Sequence, residues 1–167
     1  CLMVLTLSLD TSAAACSVAL RQDGKTLSKY SDYMDRGHAE ALMPMIEKVV
    51  KSTECAPKAI QLIAVTIGPG GFTGLRLGIA AARGIALATG ADCIGLTSTE
   101  TLAASIMKDE SDGYILAIML SKRVDVYAQV FAENGLPITE PSAIPPIQIS
   151  NYCATYCDNS GYCTLVG

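Results

Sequence analysis

Tryptophan is missing from this 167-residue chain and phenylalanine occurs only twice, so aromatic side chains amount to 5% and large rings cannot build its core. Aliphatic side chains must do so, and at 50% hydrophobic the chain can bury one sizeable domain or two small lobes. Charge is scarce too: 17% of residues are charged, with 12 Lys and Arg against 16 Asp and Glu, a net of −4. No basic run or row of basic and aromatic residues tracks a phosphate backbone, which argues against direct nucleic-acid binding. A single histidine, His38, cannot build a zinc site alone, and no Ser or Cys motif surrounds it for nucleophilic catalysis. Its plain reading is a polar residue near a helix start. No stretch reaches the ~18 uncharged apolar residues of a membrane helix.

Cysteine is plentiful. Cys1, Cys16, Cys55, Cys93, Cys153, Cys157 and Cys163 are odd in number and sit mostly in apolar segments, which suits reduced thiols in a cytoplasm better than a disulfide framework. Cys16 and Cys93 read as small core residues. The spacing of Cys153, Cys157 and Cys163 differs from paired C-x2-C ligands, so no metal is expected. Leu2 to Leu9 followed by Ala13-Ala14-Ala15 looks like a secretion signal, but no positive charge precedes it and Asp10 interrupts it, so it reads as structure.

The most informative stretch is Ile67-Gly68-Pro69-Gly70-Gly71-Phe72-Thr73-Gly74-Leu75-Arg76-Leu77-Gly78, which follows an apolar strand (Leu62 to Ile67) and opens a helix to about Thr89. Glycines let the backbone approach another surface closely, and Thr73 is placed to cap the helix. Free amides at such a start suit a phosphate or carboxylate, while a plain strand-to-helix turn is the alternative. Neither G-x-G-x-x-G nor a Walker loop fits the spacing. The helix is apolar nearly all round, with Arg76 and Arg83 on one stripe, which predicts a sheet on one side and a second helix or subunit on the other.

Along the chain, Met3 to Leu9, Cys16 to Leu20 and Lys25 to Tyr30 read as strands joined by the turns Asp10-Thr11-Ser12 and Asp23-Gly24. A helix starting at Asp35 or Gly37 carries the stripe Ala39, Leu42, Met43, Ile46, Val49 and Val50, widened by Ala41 and Met45. Pro44 bends it, unless the helix begins near Ala41. A short strand at Asp92 to Leu96 precedes a capping box, Thr97 with Glu100, for a helix to about Met107. After a break at Lys108 to Gly113, Tyr114 to Leu120 and Val124 to Ala132 form a hairpin around Ser121-Lys122-Arg123. Asn134-Gly135 makes a turn, the pattern fades beyond Pro137, and Leu165-Val166-Gly167 resembles an unfinished strand. No internal sequence repeat is visible.

The run Leu9 to Leu20 with Asp10-Thr11-Ser12, the segment Arg36-Gly37-His38 ahead of Leu42-Met43-Pro44-Met45-Ile46, the glycine loop with Leu75-Arg76-Leu77-Gly78, and Val124-Asp125-Val126-Tyr127 together resemble the TsaB (YeaZ) family over about residues 2 to 150. The resemblance implies an α/β actin-like, sugar-kinase and Hsp70-type (ASKHA) fold, a mixed sheet flanked by helices in two related lobes. These are expected at 1–108 and 109–167, the second incomplete. It also implies a bacterial cytoplasmic protein needed for threonylcarbamoylation of the tRNA adenosine next to the anticodon. Catalysis there belongs to the paralogue TsaD with its metal-binding His-x-x-x-His, and the matching region Thr97 to Leu102 has no histidine.

The implied role is a non-catalytic scaffold that pairs with TsaD, assisted by the ATPase TsaE, or with itself, and that meets tRNA only through the complex. Its partner face is expected to use His38, Ala41, Leu42, Met45, Val49, Arg76, Ile79, Ala82 and Arg83. Asp10, Thr11, Ser12, Gly68, Gly70, Gly71 and Thr73 are the candidate contacts for low-affinity ATP, ADP or an anion. Local turn chemistry is the other reading of Asp10-Thr11-Ser12. Leu120 stands where relatives usually carry an acidic residue, a departure from the family pattern that argues against a polar role at that hairpin. The rival reading is an ATP-dependent phosphotransferase of the same fold, which needs a second carboxylate across the cleft that the sequence does not supply.

Overall fold

The computed structural model describes residues 4–34, 36–106, 113–121, 124–156 and 163–167, and the chain divides into two units, Cys1–Leu96 and Thr97–Gly167. Asp35 as a helix start, most of the Lys108 to Gly113 break, Lys122 and Arg123 of the expected hairpin turn, Cys1 and Cys157 lie outside the described residues.

In the first unit, alternation of apolar and polar residues decides the sheet. Strand β1 (Leu5–Asp10) sends Leu5, Leu7 and Leu9 inward, and β2 (Ala15–Gln22) does the same with Cys16, Val18 and Leu20. They pair antiparallel, and β3 (Lys25–Tyr33) continues the meander as an edge kept exposed and charged by Lys25, Lys29 and Asp32. The Asp23-Gly24 turn has positive φ at both residues, the geometry that matches strand twist. Strand β4 (Leu62–Gly68) lies parallel to β1 and is almost wholly buried, and β5 (Asp92–Thr97) completes the order β3-β2-β1-β4-β5.

Helices α1 (His38–Lys51) and α2 (Phe72–Thr89) close one face of this sheet. Helix α1 buries Leu42, Met45, Ile46, Val49 and Val50, each side chain contributing about 1.5–3 kcal/mol. It begins at His38 after Gly37, so Pro44 lies inside it on the exposed side and deprives the Glu40 carbonyl of its helical donor. Helix α2 ends at Gly90, whose φ of 78° closes a bond from its amide to the Ala86 carbonyl. Cys16 is buried as expected, but Cys93 is exposed, because it sits on the edge strand β5 rather than on the strands that α1 and α2 cover.

In the second unit, β6 (Tyr114–Leu120) and β7 (Val126–Phe131) form the expected hairpin, with β8 (Ser142–Ile144) beyond β7 and β9 (Cys163–Val166) parallel to β6. Helix α3 (Ser98–Ile106) packs Ala103 on Ile115, Ala117 and Phe131, while α4 (Ile149–Tyr156) meets Leu116, Ala128 and Val130. The Thr97 and Glu100 capping box is present in both directions, at 3.0 Å and 2.6 Å. Strand β8 and α4 fall where the sequence pattern faded; three prolines in 141–146 mask the periodicity there.

The strand orders β3-β2-β1-β4 and β8-β7-β6-β9 are the same plan twice: an antiparallel meander, a helix, and a fourth strand parallel to the first. The two units thus repeat a topology that leaves no repeat in the sequence.

Candidate functional site

Parallel pairing of β1 with β4, in the register Leu9 opposite Val65, brings the carboxyl ends of both strands side by side. Ligands of open α/β sheets gather at such ends. Asp10 closes β1, and its Oδ1 accepts from the Ser12 amide (2.9 Å), the Ser12 hydroxyl (2.7 Å) and the Thr66 hydroxyl (2.8 Å). The first two bonds are the local turn chemistry expected of Asp-Thr-Ser. Thr66 escaped the sequence reading, which took Leu62 to Ile67 as apolar throughout. A lone hydroxyl inside a buried strand was the available signal, since at 3% exposure it needs a partner.

The glycine loop meets the same turn. Gly71 donates its amide to the Ser12 carbonyl at 2.7 Å, and the buried Thr11 hydroxyl donates to the Gly74 carbonyl at 2.7 Å. A Cβ on Gly70 would stand 2.4 Å from the Ser12 carbonyl oxygen, on Gly74 2.1 Å from that of Thr11, and on Gly78 2.4 Å from the Thr11 hydroxyl. Absence of side chains therefore lets loop and helix seat on the β1–β2 turn. Thr73 does not cap α2: the helix begins at Phe72 behind Gly71 without a side-chain cap, and Thr73 is exposed in the first turn. The Gly71 amide is satisfied by Ser12 instead.

The structure thus joins Asp10, Thr11, Ser12, Gly68, Gly70 and Gly71 in one place, with His38 beside them through its Nε2, 3.3 Å from the Ala13 carbonyl oxygen. Oδ1 of Asp10 takes three donors from its own chain, and Gly70, Gly71 and Gly74 face the Thr11–Ser12 backbone, while Gly68 faces the Leu75 side chain. Among the described residues no group of three or more His, Cys, Asp or Glu could hold a metal ion, and no helix is long and apolar enough to cross a membrane.

The residues expected on a partner face divide in two. Leu42, Met45, Val49 and Ala82 are buried in this chain's own core, which corrects their assignment: the same apolar stripe is consumed by the sheet. His38, Ala41 and Ile79 are partly exposed, and Arg76 and Arg83 are exposed, Arg76 lying 3.7 Å from the centre of the Phe72 ring.

Beside the site, burial first, then the charges of Asp10 and Asp32, push the Cys16 thiol above its ordinary pKa. The fold therefore holds the proton that the unfolded chain releases. Stability from this group is complete below the ordinary thiol pKa of about 8.5 and is lost as pH rises through the raised value. Urea midpoints are expected to fall above that pH, and less so in Cys16→Ala; an identical alkaline slope in the variant would reject this cause. Thiol reagents at neutral pH should label Cys93 and spare Cys16 until the chain unfolds.

A repeated meander-helix-strand plan, with the paired strand ends and a glycine loop between β4 and α2, defines an actin-like protein of the sugar-kinase and Hsp70 type. The family model for TsaD, tRNA N6-adenosine threonylcarbamoyltransferase, matches residues 31–136. The tRNA threonylcarbamoyladenosine biosynthesis protein TsaB of Escherichia coli is 32% identical over 132 residues, 78% of this chain and 57% of that protein. The structure of YeaZ from Pseudomonas aeruginosa superposes with a TM-score of 0.78 at 29% identity, covering 86% of this chain and 68% of that one. A hexokinase of the ROK type from Thermus thermophilus shares the fold alone, with a TM-score of 0.51 at 17% identity over 77% of this chain and 47% of that one. The chain belongs to the TsaB (YeaZ) family. It spans a little over half the length of the curated relatives it matches.

Proposed function

We propose that this chain serves tRNA threonylcarbamoyladenosine formation in the cytoplasm as a non-catalytic subunit. In this reading the outward faces of α1 and α2 dock a TsaD-type protein, the ATPase TsaE assists, and a second copy of the chain occupies the same face when that partner is absent. The tRNA is met through the complex.

One observation carries the docking reading. Helix α2 is 18 residues of mostly small and apolar side chains, yet it buries only Gly78 and Ala82. Phe72 and Leu87 are 67% and 89% exposed, and Met43 of the adjoining α1 is 53% exposed. Ala80, Gly84 and Ala88, exposed at successive turns between Arg76, Arg83 and Leu87, leave a shallow strip that another helix can approach closely.

The test is Leu87→Glu, at a position that contributes nothing to the core. The lone chain should keep its stability within about 0.5 kcal/mol, while its affinity for a TsaD-type partner, read by light scattering after gel filtration, falls at least ~100-fold. Unchanged co-elution would remove α2 from the interface. Steady ATP hydrolysis by the purified chain with magnesium would instead favour the phosphotransferase reading.

A further inference from the structure

The second unit contains a series of hydrogen-bonded polar side chains, with Thr99 and Gln129 at its buried centre, that the docking reading does not use. The Thr99 hydroxyl is fully buried and donates to Oε1 of Gln129, itself 2% exposed. That oxygen only accepts, and the Thr99 hydroxyl also lies as donor 3.1 Å from Thr97 Oγ1, so its single proton is shared between the two acceptors. Thr97 Oγ1 in turn accepts from the Glu100 amide. On the other side, Gln129 Nε2 donates to the Thr139 carbonyl at 2.7 Å. The Val130 amide donates to Thr139 Oγ1 at 3.0 Å, and that hydroxyl shares a further hydrogen bond of 2.9 Å with the Tyr152 phenol, in which either oxygen can donate. Hydrogen bonds thus run from Thr97 to Tyr152, and the Gln129 amide has one orientation.

We propose that this relay is a conformational coupling that binds the first turn of α3 and the seating of α4 into one cooperative event through β7. Apolar packing does not make that connection. The cluster under α3 (Ala103, Ile115, Ala117, Phe131) and the cluster under α4 (Leu116, Ala128, Val130) are separate. The polar series runs from one helix to the other. Deleting a link at the buried centre leaves Thr99 or Gln129 without its partner, so the cost is felt at both ends rather than only at the deleted atom.

Native-state hydrogen exchange on the intact chain tests this with two near-isosteric variants. Thr99→Val, remote from α4, is expected to quicken exchange in Ile149–Tyr156 about tenfold, and Tyr152→Phe to quicken the Glu100 amide and its turn similarly, with Leu116 and Ala117 of β6 changing less than about twofold. Acceleration confined to the substituted helix overturns the coupling. Equal acceleration in β6 also overturns it, because the unit would then be opening as a whole. If Thr99→Val does not fold, Tyr152→Phe, which removes one partly exposed oxygen, decides the question alone.

Discussion

Gly74→Ala is expected to destabilise the first unit by about 3 kcal/mol or more, whereas Gly84→Ala, ten residues on in the same helix, should stabilise it by up to about 1 kcal/mol. Both replacements add one methyl to α2 and both favour the helix intrinsically. They differ in what the methyl meets. At Gly84 nothing beyond the helix's own neighbouring backbone lies within 4 Å of the new Cβ. At Gly74 it would fall 2.1 Å from the Thr11 carbonyl oxygen and 3.3 Å from its carbon, main-chain atoms that cannot swing aside as a side chain can. Relief requires sliding α2 away from the β1–β2 turn, which stretches the 2.7 Å bond from Thr11 to the Gly74 carbonyl and lifts Gly78 off Val65. Urea or thermal denaturation of the two variants gives opposite shifts in this account. Equal shifts would mean that the glycines were not selected by close approach.

That contrast shows where the sequence was readable. Leu5, Leu7, Leu9, Cys16, Val18 and Leu20 announce their strands by strict alternation, and Thr97 with Glu100 announces a helix start by pairing chemistry that is wholly local. Asp10, Thr11, Ser12 and the glycines were recognisable as special positions for the same reason. What they are special for depends on partners 56 to 63 residues away, Thr66 for Asp10 and Gly74 for Thr11, and spacing alone cannot distinguish a glycine that admits a phosphate from one that admits another turn of backbone. The helical stripes misled in a related way. Leu42, Met45, Val49 and Ala82 are apolar whether the surface beyond is a partner or the chain's own sheet, so periodicity found the stripe and the sheet claimed it. A second apolar face of α2 was legible from the sequence, but which residues form it became visible only by subtraction, once the core had taken Gly78 and Ala82.

Replacing Asp10 separates a structural role from a ligand-binding one. In Asp10→Ala the Ser12 amide, the Ser12 hydroxyl and the Thr66 hydroxyl lose their common acceptor, and both residues are only 3% exposed. Each stranded donor costs about 1–3 kcal/mol, so even with water admitted to one of them the variant should lose about 3–5 kcal/mol, enough to unfold a marginal domain. Asp10→Asn keeps an oxygen at the Oδ1 position, and because all three recorded partners are donors to that single atom, it should retain most of the stability. A residue held for a nucleotide or metal would behave oppositely: removing the carboxylate would leave the unfolding midpoint near wild type, and Asn would be as damaging as Ala to binding. Denaturation of both variants, alongside their co-elution with a TsaD-type partner, tells the two apart. If Asp10→Asn folds and still pairs, the strand-end carboxylate acts as the clasp that seats the Thr11–Ser12 turn under α2, and so holds the helix in place for its outward strip to be presented.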